Sequence, residues 1–153
     1  MLIDAPSGPR RAICLVDDGS QRSFTRRKLA EDFGLPGEGH KMIVVQTFGS
    51  SEATTPEMLN RRRITVRGTF PNAAPVELRV LDKQVICPAP PYGKTDFAND
   101  LWNKGYQLAD DRFLGGGRSL SEILIGADHV WQVCLDTTIS HSEGLRAIDS
   151  KFG

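Results

Sequence analysis

Long apolar runs are absent from this chain. No stretch approaches the ~20 apolar residues that a membrane-spanning helix requires. The opening MLIDAPSGPRR lacks the apolar core of a signal peptide. A surplus of either charge is also missing, since 19 lysines and arginines balance 19 aspartates and glutamates. No global field therefore draws the chain to nucleic acid or to an anionic membrane. Cysteine is scarce: Cys14, Cys87 and Cys134 are widely spaced, and an odd count leaves at least one thiol unpaired within a chain. That disfavours a secreted disulfide scaffold and points to an intracellular, cytoplasmic setting. The histidines are His40, His129 and His141, and His129, Cys134 and His141 lack the tight spacing of metal ligands. No metal and no organic cofactor is expected. The triple glycine of LGGGRS (114–119) has no P-loop lysine and reads as a connector.

What the chain does have is short strands. Its 153 residues suit one domain, 1–153, with about 1–10 as a flexible N-terminal segment. AICLV (12–16) is a continuous apolar run, as in a strand buried on both faces. KMIVVQTF (41–48) reads as another strand. RITVRGTF (63–70) alternates, with Ile64, Val66 and Phe70 on one side. VELRVLDKQVIC (76–87) begins with the same alternation at Val76, Leu78 and Val80. The small, polar GSSEATTPE between KMIVVQTF and RITVRGTF looks like the tip of a long hairpin, spanning about 41–70. A meander of this kind implies a mainly antiparallel sheet. One short helix is expected over about 26–33. Thr25 is its N-cap, Phe24 and Leu29 form a hydrophobic staple, and Gly34 takes the left-handed position before Pro36. The Arg26-Arg27-Lys28 run reads as a solvated face. PAPPYGKTDFAND (88–100) is expected to be irregular. SEILIGADHVWQV (121–133) runs strand, glycine, then short helix.

The stretch CLVDDGSQRSF (14–24) carries the chemistry. Apolar residues end abruptly in Asp17, Asp18 and Gly19. Buried acids are costly unless paired, hydrogen-bonded or used. An aspartate at a strand end before a glycine turn can present its carboxylate to a cleft. Two such carboxylates brought together share a proton, because both cannot ionise at short range. One then acts as general base on a water while the other acts as acid toward a scissile carbonyl.

LVDDGSQRSFTRRKLAEDFGLP resembles the catalytic segment of retropepsin-like aspartic peptidases, and more closely that of the peptidase domain of BEL/Pao-type retrotransposon polyproteins. LADDRF and SEILIGADHVW (108–131) resemble a second block of that family, and GLRAIDSKFG resembles its closing segment, which usually continues further. The chain is therefore expected to be a piece of a longer polyprotein. The resemblance covers most of residues 12–153. It implies a mainly β, retropepsin-like barrel with a flap hairpin and one or two short helices.

The same resemblance makes Asp17 the catalytic aspartate, supported by Asp18, Gly19 and Ser20. It makes Phe48, Gly49 and Ser50 the flap over an extended peptide, and Ile125 and Gly126 the apolar-apolar-glycine element beside the catalytic loop. Asp128 is expected to tie down the following helix without a catalytic role. The family has Ser or Thr where this chain has Asp18, and an ionised carboxylate is only an acceptor. A single copy of the motif implies a homodimer with the site on its two-fold axis. The implied partners are a second copy and a peptide or polyprotein substrate, with neither nucleic acid nor membrane. The alternatives are a catalytically degenerate domain that binds peptides or only dimerises, and an unrelated β-domain.

Overall fold

The computed structural model describes residues 1–46, 55–87, 96–109, 120–141 and 144–153. Strands β1 (Leu2–Ala5) and β2 (Gly8–Arg11) form an antiparallel hairpin. β3 (Cys14–Val16) ends at the acid pair, and β4 (Phe24–Arg26) leads directly into helix α1 (Arg27–Asp32). β5 (Gly37–Ile43), β6 (Glu57–Arg67) and β7 (Val76–Lys83) follow as an antiparallel series. Helix α2 (Asp96–Asn103), strand β8 (Ile123–Ile125) and the single-turn α3 (Val130–Val133) come next. β9 (Cys134–Ser140) and β10 (Arg146–Ser150) pair separately as a two-stranded sheet. The chain is mainly β with a few short helices, as the alternation implies. No helix among the described residues is long and apolar enough to cross a membrane.

The large sheet has eight strands in the order β2-β1-β6-β7-β4-β8-β3, with β5 also paired to β6, and it curls into a half-barrel. It is more mixed than a meander. β4 runs parallel to β7, and β3 runs parallel to β8, whereas β4 and β8 are antiparallel. β8 therefore lies between β3 and β4. The segment joining those two strands, residues 17–23, must pass over the end of β8. That crossing positions the acid pair.

Period-two alternation decides which side chains are inside. Ile64 and Val66 of β6 face Leu78 and Val76 of β7 in register, and all four are buried. They join Ile3, Leu29, Ile123, Ile125 and Val133 in the main core. A second apolar cluster holds Phe24, Leu59, Leu81 and Leu124, with Leu15 and Ile43 packed against it.

Several expectations are corrected. Residues 1–10 are not a flexible segment, because β1 pairs with both β2 and β6 and Ile3 is completely buried. Thr25 does not cap α1. It lies buried in β4, opposite Asp82 and Ile123, and Arg26 occupies the N-cap without a side-chain hydrogen bond. Strand pairing on both sides outweighs the local capping preference. Phe24 and Leu29 accordingly pack in different clusters and form no staple. Gly34 does take the left-handed conformation, with φ +60°. Val16 is 44% exposed, so β3 is not covered on both faces at its end. Phe70 lies beyond the end of β6 and is only half-buried. Part of the segment expected to be irregular is α2, which turns Phe97 and Leu101 inward.

Asp82 continues the inward alternation of Val76, Leu78 and Val80 and is fully buried. Its Oδ2 accepts hydrogen bonds from Arg62 Nε (3.1 Å), Arg62 Nη2 (2.9 Å) and Asn60 Nδ2 (2.9 Å). Arg62 also donates to the Leu35 carbonyl (2.8 Å), which ties the end of α1 to the sheet. Arg27 Nε stands 3.6 Å from Asp82 Oδ1, so this arginine is not simply part of a solvated face. Burial alone would raise the Asp82 carboxyl. The hydrogen bonds from Asn60 and Arg62, with the Arg62 charge, outweigh it and hold the group below its ordinary value.

Stability from Asp82 is thus fully present above the ordinary carboxylate range and is lost as pH falls through the lowered folded value. Arg62→Ala strands a buried carboxylate. It is expected to destabilise the fold by about 3–5 kcal/mol, read as a shift in the urea midpoint at neutral pH. The difference from wild type should shrink as Asp82 protonates in acid.

Candidate active site

The acid loop is built by its crossing over β8. Asp17 N–H donates to the Ile125 carbonyl (2.9 Å), which fixes the loop's entry at the end of β8. Asp17 Oδ1 accepts from the Gly19 N–H (3.1 Å), and the Asp17 carbonyl accepts from the Ser20 N–H (3.2 Å). This is an Asx-type turn, the local geometry that short acids and glycine favour. Ser20 Oγ donates to the Arg22 carbonyl (2.9 Å), and the Ser20 carbonyl accepts from the Ala127 N–H (2.7 Å).

Gly126 is held between these segments. A Cβ there would stand 2.6 Å from the carbonyl oxygens of both Ser20 and Arg22. Only glycine allows so close a crossing of backbones. Ser23, which the sequence reading did not single out as a site residue, is the hub of the exit. Its Oγ donates to Asp128 Oδ1 (2.6 Å) and accepts from the Gly126 N–H (2.9 Å). Its N–H donates to Asp128 Oδ2 (3.2 Å). Asp128 therefore ties the acid loop itself, rather than only the helix that follows it.

The structure brings Asp17, Gly19, Ser20, Ile125 and Gly126 into one constellation. Asp17 is half-buried, and its Oδ2 has no hydrogen-bond partner among the described residues. Asp18 is exposed at the turn. Its charge reaches the start of β9, where burial first and Asp18 second push the Cys134 thiol above its ordinary value. Burial pushes Cys14 up to about 12. Both thiols are thus held protonated, which disfavours a cysteine nucleophile. All three cysteines are free. No group of three or more His, Cys, Asp or Glu able to hold a metal occurs among the described residues.

The apolar cluster of Phe24, Leu59, Leu81 and Leu124 adjoins the loop, because Leu15 and Leu124 each precede the crossing by two residues. β5 and β6 form the arms of the expected flap hairpin, in register from Lys41↔Leu59 to Ile43↔Glu57. Phe48, Gly49 and Ser50 lie outside the described residues. The acid pair and the ILIG element were findable from their motifs. Ser23 carried no local signal, because its partners Asp128 and Gly126 lie about a hundred residues away in sequence. No family model, curated protein or solved structure matches the chain.

Gly126→Ala is expected to force the crossing apart and destabilise the fold by about 1–3 kcal/mol. Ser23→Ala leaves Asp128 and the Gly126 N–H each short of a partner, and should destabilise by about 1–3 kcal/mol. Denaturant unfolding measures both. An unchanged midpoint in Gly126→Ala would show that the loop does not cross β8 this closely.

Proposed function

We propose that the chain is an aspartic endopeptidase of retropepsin type that works as a homodimer and hydrolyses peptide bonds within a retroelement polyprotein. The observation that carries this reading is the placement of Asp17. It sits in a glycine turn at a strand end, braced by a β8–Gly126 crossing, with one carboxylate oxygen unengaged among the described residues. The two flap arms, backed by the buried apolar cluster, supply one wall for an extended peptide.

One chain offers one such aspartate, so the reaction needs a second copy. β3 ends the sheet order, so a second copy has an open strand edge to cover beside Asp17. The two Asp17 carboxylates then share a proton across the two-fold axis. The ionised one takes a proton from water, which attacks the scissile carbonyl carbon. The protonated one hydrogen-bonds the carbonyl oxygen and stabilises the tetrahedral intermediate. Proton transfer to the leaving nitrogen completes cleavage.

Asp18 bears on the dimer and not on the proton transfers. A hydroxyl at this position can both donate and accept, whereas a carboxylate adds charge near the axis. Like-charge repulsion grows as pH rises, so the dimer should weaken and the rate fall toward neutral pH. Asp17→Asn is expected to lower peptide hydrolysis by about 10²–10⁴-fold while leaving the circular dichroism spectrum intact. Asp18→Thr should tighten the dimer and flatten its pH dependence, measured by sedimentation from acidic to neutral pH. A chain that dimerises but cleaves no peptide and ignores a statyl-type inhibitor would instead be a binding or dimerisation module. Cleavage by a strict monomer would end the shared-dyad reading.

A further inference from the structure

A cleft of about 560 Å³ opens beside the acid loop. Its walls come from the loop's exit, from the flap arms and from β7. Strand register sets what faces it. Lys41 lies opposite Leu59, and Arg61 lies opposite Leu81. Leu59 and Arg61 are two residues apart in one strand and so share a face. Lys41 and Arg61 therefore stand on the side of the sheet that carries the apolar cluster of Leu59 and Leu81. The cleft is the cationic continuation of that cluster, and Leu81 belongs to both.

The charges in the cleft do not cancel. Arg22, Lys41, Arg61 and Arg79 line it, against the carboxylates of Glu38 and Asp128. Both carboxylates are already engaged. Asp128 is held by the Ser23 hydroxyl and N–H, with Arg22 Nη1 at 4.0 Å. Glu38 pairs closely with Arg63, which lies outside the cleft lining, and stands 3.9 Å from Arg79. Lys41 and Arg61 have no acidic partner among the described residues. Two cations without an acidic partner among the described residues thus line one cleft with ample room for a side chain.

We propose that this cleft holds an acidic side chain, Asp or Glu, of an extended peptide that runs past Asp17. The proposal rests on the peptidase reading, for which it names the chemistry of the substrate. A carboxylate entering the recess gains charge-assisted hydrogen bonds from Lys41 and Arg61. A lysine or arginine side chain there would meet unpaired like charge, which rejects it as firmly as the acid is attracted. A nucleic-acid backbone fits less well. Polyphosphate recognition needs cations spread along a strand, whereas these line one cleft with two carboxylates in its wall.

Binding tests the proposal without depending on turnover. The Asp17→Asn chain is equilibrated with a randomised decapeptide library, and captured peptides are sequenced by mass spectrometry. Asp or Glu is expected to be enriched at one position about tenfold over Asn and Gln, the product of two partly exposed ion pairs worth severalfold each. The enrichment should fall as salt rises. In the Asp17→Asn, Lys41→Glu, Arg61→Glu chain it should vanish or reverse toward Lys and Arg. No acidic enrichment, enrichment that survives the charge reversal, or displacement of acidic peptides by a single-stranded oligonucleotide would each overturn it. Cleavage of the same library by the wild-type chain is scored separately. Acidic capture without cleavage defeats the peptidase reading and leaves the cleft assignment standing, whereas cleavage without acidic preference does the opposite.

Discussion

Everything near Asp17 depends on two backbones passing within contact distance at Gly126. β3 and β4 flank β8, so the chain between them has to cross the end of that strand. The crossing leaves no space for a Cβ at position 126. It is stitched by backbone bonds on both sides, from Asp17 to Ile125 and from Ala127 to Ser20. A loop held at both ends in this way keeps a half-buried acid in one place without closing it off. Fixed position is what a reacting group requires, because misplacement by about 1 Å can lose two orders of magnitude in rate.

The acids of this chain sort by how fully they are satisfied. Asp82 is fully buried and takes hydrogen bonds from Asn60 and Arg62, so both oxygens are occupied and the group is structural. Asp128 is half-buried and spends both oxygens on Ser23. Asp17 accepts one local bond from Gly19 and keeps a second oxygen unengaged among the described residues. Among these three, partner counting therefore separates the bracing acids from Asp17, which burial alone does not do, since Asp128 and Asp17 are both half-buried.

Legibility in the sequence followed the range of the interactions. Alternation is local, so the inward faces of β6 and β7 were readable from Ile64, Val66, Val76, Leu78 and Val80. The same rule, carried one step further, places Asp82 and Arg62 on the inner face. Their mutual pairing was therefore available in the pattern, although an acid in a strand invites reading as surface. Thr25 shows the opposite case. Its local context is that of a helix cap, and only strands distant in sequence, β7 and β8, make it part of a sheet. The parallel pairings of β3 and β4 were hidden for the same reason, because no local pattern records which strand is inserted between two others. α2 was masked by the proline-rich residues before it. The cationic cleft could not be anticipated because its residues come from five separate segments.

A site at the end of a sheet has a consequence for assembly. β3 is the terminal strand of the sheet order, and it delivers Asp17 to that boundary with Val16 exposed beside it. Unpaired strand edges and exposed apolar residues are surfaces that a second chain can cover. On the reading proposed above, the same edge position serves both needs. It leaves the carboxylate reachable from outside the domain, and it puts the covering surface immediately next to it. Asp18 then marks a conflict between these two needs. An exposed acid at the tip of the turn is well solvated in a single chain, but a second copy would remove that water and bring a like charge toward it. Either protonation or displacement of Asp18 from the axis must relieve that pressure. Its influence on Cys134 shows that β9 already lies within reach of its charge on one side.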